Sequence, residues 1–415
     1  MADYLVIQAA RFGDLVQTKR LILTLQALGQ VHLLLDKGLV ALAKLVYPQV
    51  ICHPFHFHGK ITQDNLAGNR HVLQELAALN FTEIYNCNHS PMTSAICRLF
   101  EGEVLGYRPN LASDGGILKA PLLRLVGQMT TKRSRSCINL VDVWAHLAKN
   151  PLEGSLVNPK PTPKGGGLGV VLAGQEERRS LPPEVLADFI QLYTGIIRPS
   201  KIYLFGTDLE KPKAHKVRRS LAPTMQRLLE DLTGKTTWPD LYEILGSLDL
   251  LLTPDTGTMH LAAHLGVPLR AFFLSSALCH ETGPYGVGQV VFQANPPCAP
   301  CLEKASCTKN LVCLEPFKKR EFWRAITRFE VGQSCAMPLD VQCLVGEFDA
   351  LGLRFKLVAG EDPCQAPRAL QRALLANYLR LAPLPKRDCQ EPDLTQIREL
   401  FSQDCEWMVD HARYA

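Results

Sequence analysis

Polar residues follow an apolar run in the segment TPDTGTMHLAAHLGVP, and a helical pattern starts directly after them. The residues at this junction are Asp255, Thr256, Gly257 and Thr258, with His260 in the first helical turn. If the run is a parallel strand, they lie at its carboxyl end, where α/β proteins bind ligands and a helix N-terminus can hold an anion. Helix capping by Asp255 or Thr256 is the simpler alternative, but it explains neither the glycine nor the histidine. We therefore expect a ligand site here.

A second junction of this kind lies near the amino terminus, in AARFGDLVQTKR. Arg11, Gly13 and Asp14 stand there between the first apolar run and the first helical pattern. A glycine at this place permits close approach of the backbone to a neighbour or a ligand. The carboxylate of Asp14 can either cap the helix or act as a base toward a ligand, and the residues alone do not decide between these roles.

Four cysteines, Cys298, Cys301, Cys307 and Cys313, fall within one short segment, CAPCLEKASCTKNLVC. A C-x2-C pair followed by two more thiols can close around Zn or Fe, and four protein ligands would make such a site structural. The alternative is a compact loop of reduced thiols. A structural metal at this loop is an expectation that the sequence leaves open.

Two further sets of candidate ligands have simpler explanations. His56 and His58 in CHPFHFHGK share one face of an extended segment, which suits either a metal or the lining of a loop or cleft. Other cysteines of the first half show no ligand spacing, and we expect buried, small apolar residues at Cys52, Cys87, Cys97 and Cys137.

Short apolar runs alternate with helical patterns along most of the chain, which indicates βαβ units and parallel sheets covered by helices. A first series occupies residues 1–155, and the Pro- and Gly-rich stretch PLEGSLVNPKPTPKGGGLG marks a linker at its end. A second series occupies residues 156–330 and contains the cysteine-rich loop 298–313. Helical patterns in residues 331–415 predict a helical C-terminal extension. The expected class is α/β, with two doubly wound, Rossmann-like domains facing a cleft.

The composition is that of an ordinary globular protein of 415 residues, 47% hydrophobic and 20% charged, with a net charge of +5. This charge is too small, and too little interleaved with aromatic residues, for a nucleic-acid-binding protein. The amino terminus MADYLVIQAA lacks the pattern of a signal peptide, and no apolar run reaches the roughly 18–20 residues of a membrane span. We therefore expect a cytoplasmic protein whose cysteines are thiols or metal ligands rather than disulfides.

Two segments together resemble glycosyltransferase family 9, the bacterial lipopolysaccharide heptosyltransferases. They are RFGDLVQTKRLILTL and LYEILGSLDLLLTPDTGTMHLAAHLGVP. The resemblance covers residues 1 to about 330. It implies a GT-B fold with the active site between two Rossmann-like domains, and inverting transfer of heptose from an ADP-heptose donor. The implied acceptor is a lipopolysaccharide core sugar or a similar glycan at the cytoplasmic face of the inner membrane, which the protein would contact peripherally.

The same resemblance implies roles for individual residues of the chain. Asp14 matches the general base of the family, and Arg11 and Gly13 beside it are candidate substrate-binding residues. Arg179 stands where the family has a lysine near the donor phosphates. Glu210 matches an acidic residue that holds the ribose of the adenosine.

The second motif supplies the remaining donor-binding residues that the resemblance implies. Asp255 matches the residue that contacts the donor sugar. The phosphate-facing turn and the histidine of the motif are matched by Thr256, Gly257, Thr258 and His260. The chain departs from the family at Arg20, where a proline is usual, and at Leu181, where a tryptophan is usual.

Glycosyl transfer needs a base for the acceptor hydroxyl and positive potential at the departing diphosphate. Asp14 would act as the base from one domain. Arg179 and the amides of residues 256–258 would supply the positive potential from the other domain. No Asp-x-Asp metal motif is evident in a loop, so we expect no cofactor requirement for catalysis. Two alternatives stay open: transfer to a protein acceptor, and a non-catalytic protein that binds a nucleotide sugar.

Overall fold

The computed structural model of the chain describes residues 2–60, 62–112, 116–130, 132–174, 177–302 and 306–383. The strands of its first sheet are β1 (Ala2–Gln8), β2 (Gly29–Asp36), β3 (Ile51–Phe55), β4 (Glu83–Asn86), β5 (Glu103–Pro109) and β6 (Ile117–Lys119). They lie in the order β3-β2-β1-β4-β5-β6, and all neighbours are parallel except β5 and β6. The strand order reverses between β1 and β4, which is where open α/β sheets form a ligand crevice.

A second sheet repeats this plan. Its strands are β7 (Leu168–Val171), β8 (Ile202–Phe205), β9 (Leu229–Asp231), β10 (Leu250–Pro254), β11 (Leu269–Phe273), β12 (Val290–Ala294), β13 (Val341–Phe348) and β14 (Leu353–Ala359). They lie in the order β14-β13-β12-β11-β10-β7-β8-β9, and the strand order reverses between β7 and β10. All five residues of β10 are buried, as expected for a parallel strand covered by helices on both faces.

Helices connect these strands and cover the sheets. Those of the first domain are α1 (Phe12–Gln17), α2 (Lys19–Gln26), α3 (Val40–Val46), α4 (Gln63–Ala77), α5 (Pro91–Cys97), α6 (Pro121–Met129) and α7 (Leu140–Ala145). The later helices are α8 (Pro183–Ile197), α9 (Lys211–Ser220), α10 (Pro223–Gln226), α11 (Trp238–Ser247), α12 (Gly257–His264), α13 (Cys279–Thr282), α14 (Arg320–Glu330) and α15 (Gln365–Tyr378). None of the described helices combines the length and the apolar character that a membrane crossing requires.

The C-terminal extension is not purely helical, so the expectation for residues 331–415 is wrong in part. β13 and β14 form an antiparallel hairpin that continues the second sheet beside β12. β14 alternates buried and exposed residues, because only one of its faces is covered. Of the two helical segments predicted here, the first corresponds to α15. The second, within residues 394–412, lies outside the described residues.

After the hairpin the chain returns to the first domain. On α15, the guanidinium of Arg372 donates to the carbonyl of Cys137 at 2.6 Å, and that of Arg368 to the carbonyl of Ser134 at 2.7 Å. The extension therefore completes the second sheet and then joins the two domains, instead of forming an appendage of its own.

A buried ion pair also joins the two domains. Arg20 on α2 lies 2.6 Å from Asp142 on α7 and donates to the carbonyl of Leu351 in the hairpin turn. The hydroxyl of Tyr285 donates to the same carboxylate at 2.6 Å. Removing one partner of such a pair leaves an uncompensated buried charge, which is strongly destabilising. This is the structural use of the arginine that stands where the family usually has proline.

Candidate active site

Residues that follow β1 and residues that follow β10 line one cavity of about 720 Å³ between the two domains. This volume lies within the range of roughly 300–1,000 Å³ that is typical of small-molecule sites. The predicted residues that line it are Arg11, Gly13, Asp14, Arg179, Asp255, Thr256, Gly257 and His260. The fold thus brings most of the two sequence motifs together, although they are separated by about 240 residues in the chain.

The amino terminus of α12 forms one wall of this cavity. The hydroxyl of Thr256 caps the helix and accepts a hydrogen bond from the N–H of Met259 at 3.4 Å. The backbone N–H groups of Gly257 and Thr258 have no acceptor among the described residues. Capping and ligand binding are therefore compatible, because the cap leaves two N–H groups and the helix dipole available to an anion.

Asp255 has three polar neighbours beside this helix terminus. The guanidinium of Arg179 lies 2.5 Å from its carboxylate, and the hydroxyl of Thr282 donates to it at 3.3 Å. His260 is buried, with Nε2 3.9 Å from the carboxylate. Burial lowers the pKa of His260 to about 4, with Asp255 opposing this shift and Arg179 adding to it. The imidazole is therefore neutral near pH 7, and the charge of Asp255 is balanced by Arg179.

Asp14 both caps α1 and faces the cavity. Its carboxylate accepts a hydrogen bond from the N–H of Arg11 at 3.2 Å, which is the capping contact. Burial raises the pKa of Asp14, and the negative charge of Asp255 raises it further, while the hydrogen bond and charge of Arg11 oppose the shift. A carboxylate with a raised pKa is a stronger proton acceptor, as general bases are.

The two motifs meet at a pair of glycines. A Cβ atom added to Gly257 would lie 2.3 Å from the ring of Phe12, and one added to Gly13 would lie 3.2 Å from the Cα atom of Gly257. The amino termini of α1 and α12 are in contact because neither glycine has a side chain. The close backbone approach that the sequence predicted at Gly13 therefore brings two protein segments together, one from each domain.

Arg133 is a cavity residue that sequence reasoning missed. It lies in a 3₁₀ turn, Arg133–Arg135, and its guanidinium is 2.5 Å from the carboxylate of Glu281 on α13. It also donates to the carbonyl of Ser276 at 2.9 Å. Arg133 thus fixes the first domain against α13, which carries Thr282 to Asp255. Its partner lies 148 residues away in the chain, so no local pattern could have revealed it.

Other predicted residues lie away from the cavity or have a different part in it. The carboxylate of Glu210 accepts hydrogen bonds from the N–H and the hydroxyl of Thr207, at 2.7 and 2.6 Å, and so caps a turn. Glu210 does not line the cavity, and its contact with ribose stays a prediction. His58 does line it, which agrees with the cleft-lining alternative for this histidine.

The four candidate metal ligands differ in exposure. Cys313 is buried, Cys307 is exposed, and Cys298 and Cys301 are half-buried. Burial raises the pKa of the Cys313 thiol, and the other three cysteines are close enough to raise it further. The described residues nevertheless contain no group of three or more His, Cys, Asp or Glu arranged to hold a metal, and residues 303–305 of this loop lie outside them. A metal here stays a prediction.

The remaining cysteines of the first half are mostly as expected. Cys87, Cys97 and Cys137 are buried and Cys52 is half-buried. Burial is the main cause that raises the pKa of each of these four thiols. The prediction that they serve as small apolar residues is confirmed for the three buried ones.

Solved structures with the same architecture identify it as the GT-B fold. E. coli heptosyltransferase WaaC with ADP is similar over 68% of this chain and 91% of its own, with a TM-score of 0.54 and 18% identity. The family 9 glycosyl transferase from Veillonella parvula is similar over 71% of this chain and 88% of its own, with a TM-score of 0.55 and 15% identity. At these identities the likeness establishes the fold, two Rossmann-like domains around an interdomain cavity.

Sequence comparison finds a family resemblance in part of the second domain. Residues 189–312 match the family model described as glycosyltransferase family 9 (heptosyltransferase). Lipooligosaccharide heptosyltransferase 2 of Haemophilus influenzae is 28% identical over 72 residues, which are 17% of this chain and only 21% of that relative. The resemblance to glycosyltransferase family 9 is therefore confirmed over the segment that carries the second motif. The matched segment contains Asp255 and α12, whereas Asp14 precedes it.

Proposed function

We propose that the protein is an inverting glycosyltransferase that moves a heptose or a related sugar from an ADP-sugar to a lipopolysaccharide core or similar glycan. The observation that carries this proposal is the shared cavity, which places Asp14 of the first domain opposite the α12 terminus of the second. Glycosyl transfer needs these two groups together, because one takes up a proton while the other binds the anionic leaving group.

In the proposed reaction, Asp14 removes the proton from an acceptor hydroxyl. The hydroxyl oxygen forms a bond to the anomeric carbon of the donor sugar, and the bond from that carbon to the diphosphate breaks. The acceptor attacks from the side of Asp14 while ADP departs toward α12, so the configuration at the anomeric carbon inverts. The raised pKa of Asp14 favours its role as the proton acceptor.

The departing diphosphate would be bound by the amides of Gly257 and Thr258, which have no acceptor among the described residues. Arg179 balances the negative charge of Asp255 beside them and holds its carboxylate in place. Neutral His260 supports this arrangement without adding a second positive charge. None of these steps requires a metal from the four-cysteine loop.

Binding of the donor can be tested by measuring the melting temperature with ADP, UDP and GDP at equal concentration. A ligand that binds only the folded state stabilises it by about 2.7 kcal/mol at a hundredfold excess over Kd. We expect ADP and ADP-sugars to give the largest shift. Equal or greater stabilisation by UDP-sugars would contradict the proposed donor.

Catalysis requires a second measurement, the release of ADP from ADP-heptose in the presence of candidate acceptors. Turnover with a lipopolysaccharide core glycan is the expected result. Turnover with a protein acceptor alone would favour the protein-modifying alternative. Binding of ADP-heptose without turnover on any glycan or protein acceptor would favour a non-catalytic nucleotide-sugar-binding protein.

A further inference from the structure

α15 is apolar on two opposite faces, and only one of them is covered in the described part of the chain. Leu375 and Ala376 are buried. On the other side of the helix, Leu370, Leu374 and Tyr378 recur at every fourth residue and are 39%, 44% and 50% exposed. Residues four apart lie one above the other on the same helix face, so these three side chains form an apolar stripe. A helix that is apolar all round is normally buried, which indicates that the stripe has a binding partner.

The stripe lies close to the point where the described residues end. α15 ends at Tyr378 and the described residues at 383, so the next part of the chain starts near the stripe. Arg380 is exposed there and has no acidic partner among the described residues. Single exposed apolar side chains are common on proteins, but a row of three on one helix, next to a positive charge, marks a contact surface. Its occupant should be apolar along one face and carry negative charge.

The following segment of the chain has the matching sequence pattern. Within residues 394–412, which lie outside the described residues, Leu394, Ile397, Phe401 and Met408 are spaced by three, four and seven. This spacing predicts a helix with these apolar residues on one face. The opposite face of such a helix would carry acidic residues, namely Glu399, Glu406 and Asp410. Most of the stability of a helix in a protein comes from the packing of its apolar face, so this segment needs an apolar partner.

We propose that the amphipathic segment 394–412 packs its apolar face on the stripe of α15 in the same chain, so that the two form a helical hairpin. The connecting residues 384–393 span up to roughly 33 Å when extended, whereas the 14 residues of α15 are roughly 21 Å long. The segment can therefore return along the whole helix. It contains Arg398 and four acidic residues, a net charge of −3 that complements Arg380.

The tether favours a segment of the same chain over a second copy of the protein, because a short flexible linker keeps the segment at millimolar effective concentration. Docking would also act on the joint between the domains. α15 carries Arg368 and Arg372, whose guanidiniums donate to first-domain carbonyls. The docked segment would therefore stabilise the contact between the two domains. This inference does not depend on the proposed glycosyl transfer.

The test is hydrogen–deuterium exchange of the full chain, followed by mass spectrometry of peptides from residues 394–412. We expect the amides of these peptides to exchange at least about tenfold more slowly in the unchanged protein than in Leu374→Asp, because a carboxylate in the stripe opposes apolar contact. Phe401→Asp should have the same effect from the other side of the contact. Each change should lower the melting temperature, and the double variant should lower it no further than the larger single effect, because both changes remove the same contact.

Leu209→Asp is the matched control. Leu209 is 86% exposed and follows β8, whereas α15 follows β14, which lies toward the opposite edge of the second sheet. This variant should keep the slow exchange of residues 394–412. Fast exchange of this segment in the unchanged protein, or equal exchange in Leu374→Asp and Leu209→Asp, would overturn the proposal. Slow exchange only at high protein concentration, with a dimer mass in light scattering that Leu374→Asp reduces to a monomer, would also overturn it, since the stripe would then contact a second copy.

Discussion

Arg179 donates a hydrogen bond to the carboxylate of Asp255 at 2.5 Å, and a second to its backbone carbonyl at 3.1 Å. Both residues line the cavity, and Asp255 directly precedes the Thr256 cap of α12. The arginine therefore balances a carboxylate that lies beside the amides that we assign to the diphosphate. Without it, that carboxylate would repel a diphosphate from the same place.

Replacing Arg179 by Ala should weaken ADP binding by about 1.5–3 kcal/mol, the usual size of a charge-assisted contact. Titration calorimetry with ADP measures this. Arg178→Ala is the control, because the neighbouring arginine donates to the carbonyl of Leu302 and does not line the cavity. An unchanged Kd for ADP in a folded Arg179→Ala protein would remove this residue from the donor site.

Because Phe12 packs against Gly257, a single methyl group added at Gly257 should destabilise the fold. Gly257→Ala places a Cβ atom 2.3 Å from the Phe12 ring, and overpacking of this kind costs about 1–3 kcal/mol. Phe12→Ala in the same chain should recover part of that loss, which a double-mutant cycle in urea measures. Gly246→Ala is the control, because its added Cβ would be 3.9 Å from the nearest atom outside its own helix, on Leu265. Additive effects of the Phe12 and Gly257 changes would contradict the contact.

The raised pKa of Asp14 predicts the pH dependence of both rate and stability. The base must be ionised to act, so the acid limb of the kcat/KM profile should lie above the ordinary aspartate value of 3.8. Asp255→Asn should move this limb to lower pH, because the charge of Asp255 is one of the causes that raise the pKa of Asp14. A limb at the ordinary value would show that Asp14 is not the titrating base.

The raised pKa of Asp14 should also make the free energy of unfolding decrease as pH rises. The folded protein holds the Asp14 proton to a higher pH than the unfolded chain, so this contribution stabilises the fold at low pH and is lost as pH rises through the folded pKa. Asp14→Asn removes this dependence. The melting temperature of the variant minus that of the unchanged protein should therefore be larger near pH 7 than near pH 4. A difference of the opposite sign would contradict the raised pKa.

The parts of the fold that sequence predicted are those encoded by local patterns. The apolar run of β10 and the polar residues after it identify a covered parallel strand and its ligand-binding end, because both features are contiguous. The hairpin of β13 and β14 was missed, since its stability comes from pairing with β12, about 50 residues earlier. A strand that depends on such pairing has only a weak pattern of its own.

The same distinction applies to the site. Asp14 and Asp255 could be selected because each lies between an apolar run and a helical pattern, with a glycine beside it. Arg133 could not, because its neighbours in the chain are also basic and its partner Glu281 is distant. Glu210 was selected by the family resemblance alone, and its carboxylate accepts a hydrogen bond from Thr207, so its contact with ribose stays a prediction.

The prediction for the four-cysteine loop can be tested without measuring turnover. We propose that Cys298, Cys301, Cys307 and Cys313 hold one structural Zn or Fe ion, which elemental analysis of protein purified without added metal would detect. Cys301→Ser should lower both metal content and melting temperature, while Cys335→Ser, a half-buried cysteine outside the loop, should change neither. A folded, metal-free protein with four titratable thiols in the loop would exclude the metal.

The last prediction separates the two roles of Asp14. The amide oxygen of Asn can accept the same hydrogen bond, so Asp14→Asn keeps the contact with the Arg11 N–H but removes the base. Turnover should fall by about a hundred- to ten-thousandfold, while ADP affinity stays within a few-fold because the donor site that we propose lies mainly in the second domain. Asp240→Asn is the matched control: Asp240 occupies the same capping position on α11 and does not line the cavity. This control should retain full activity, and a fully active Asp14→Asn protein would leave Asp14 as a helix cap alone.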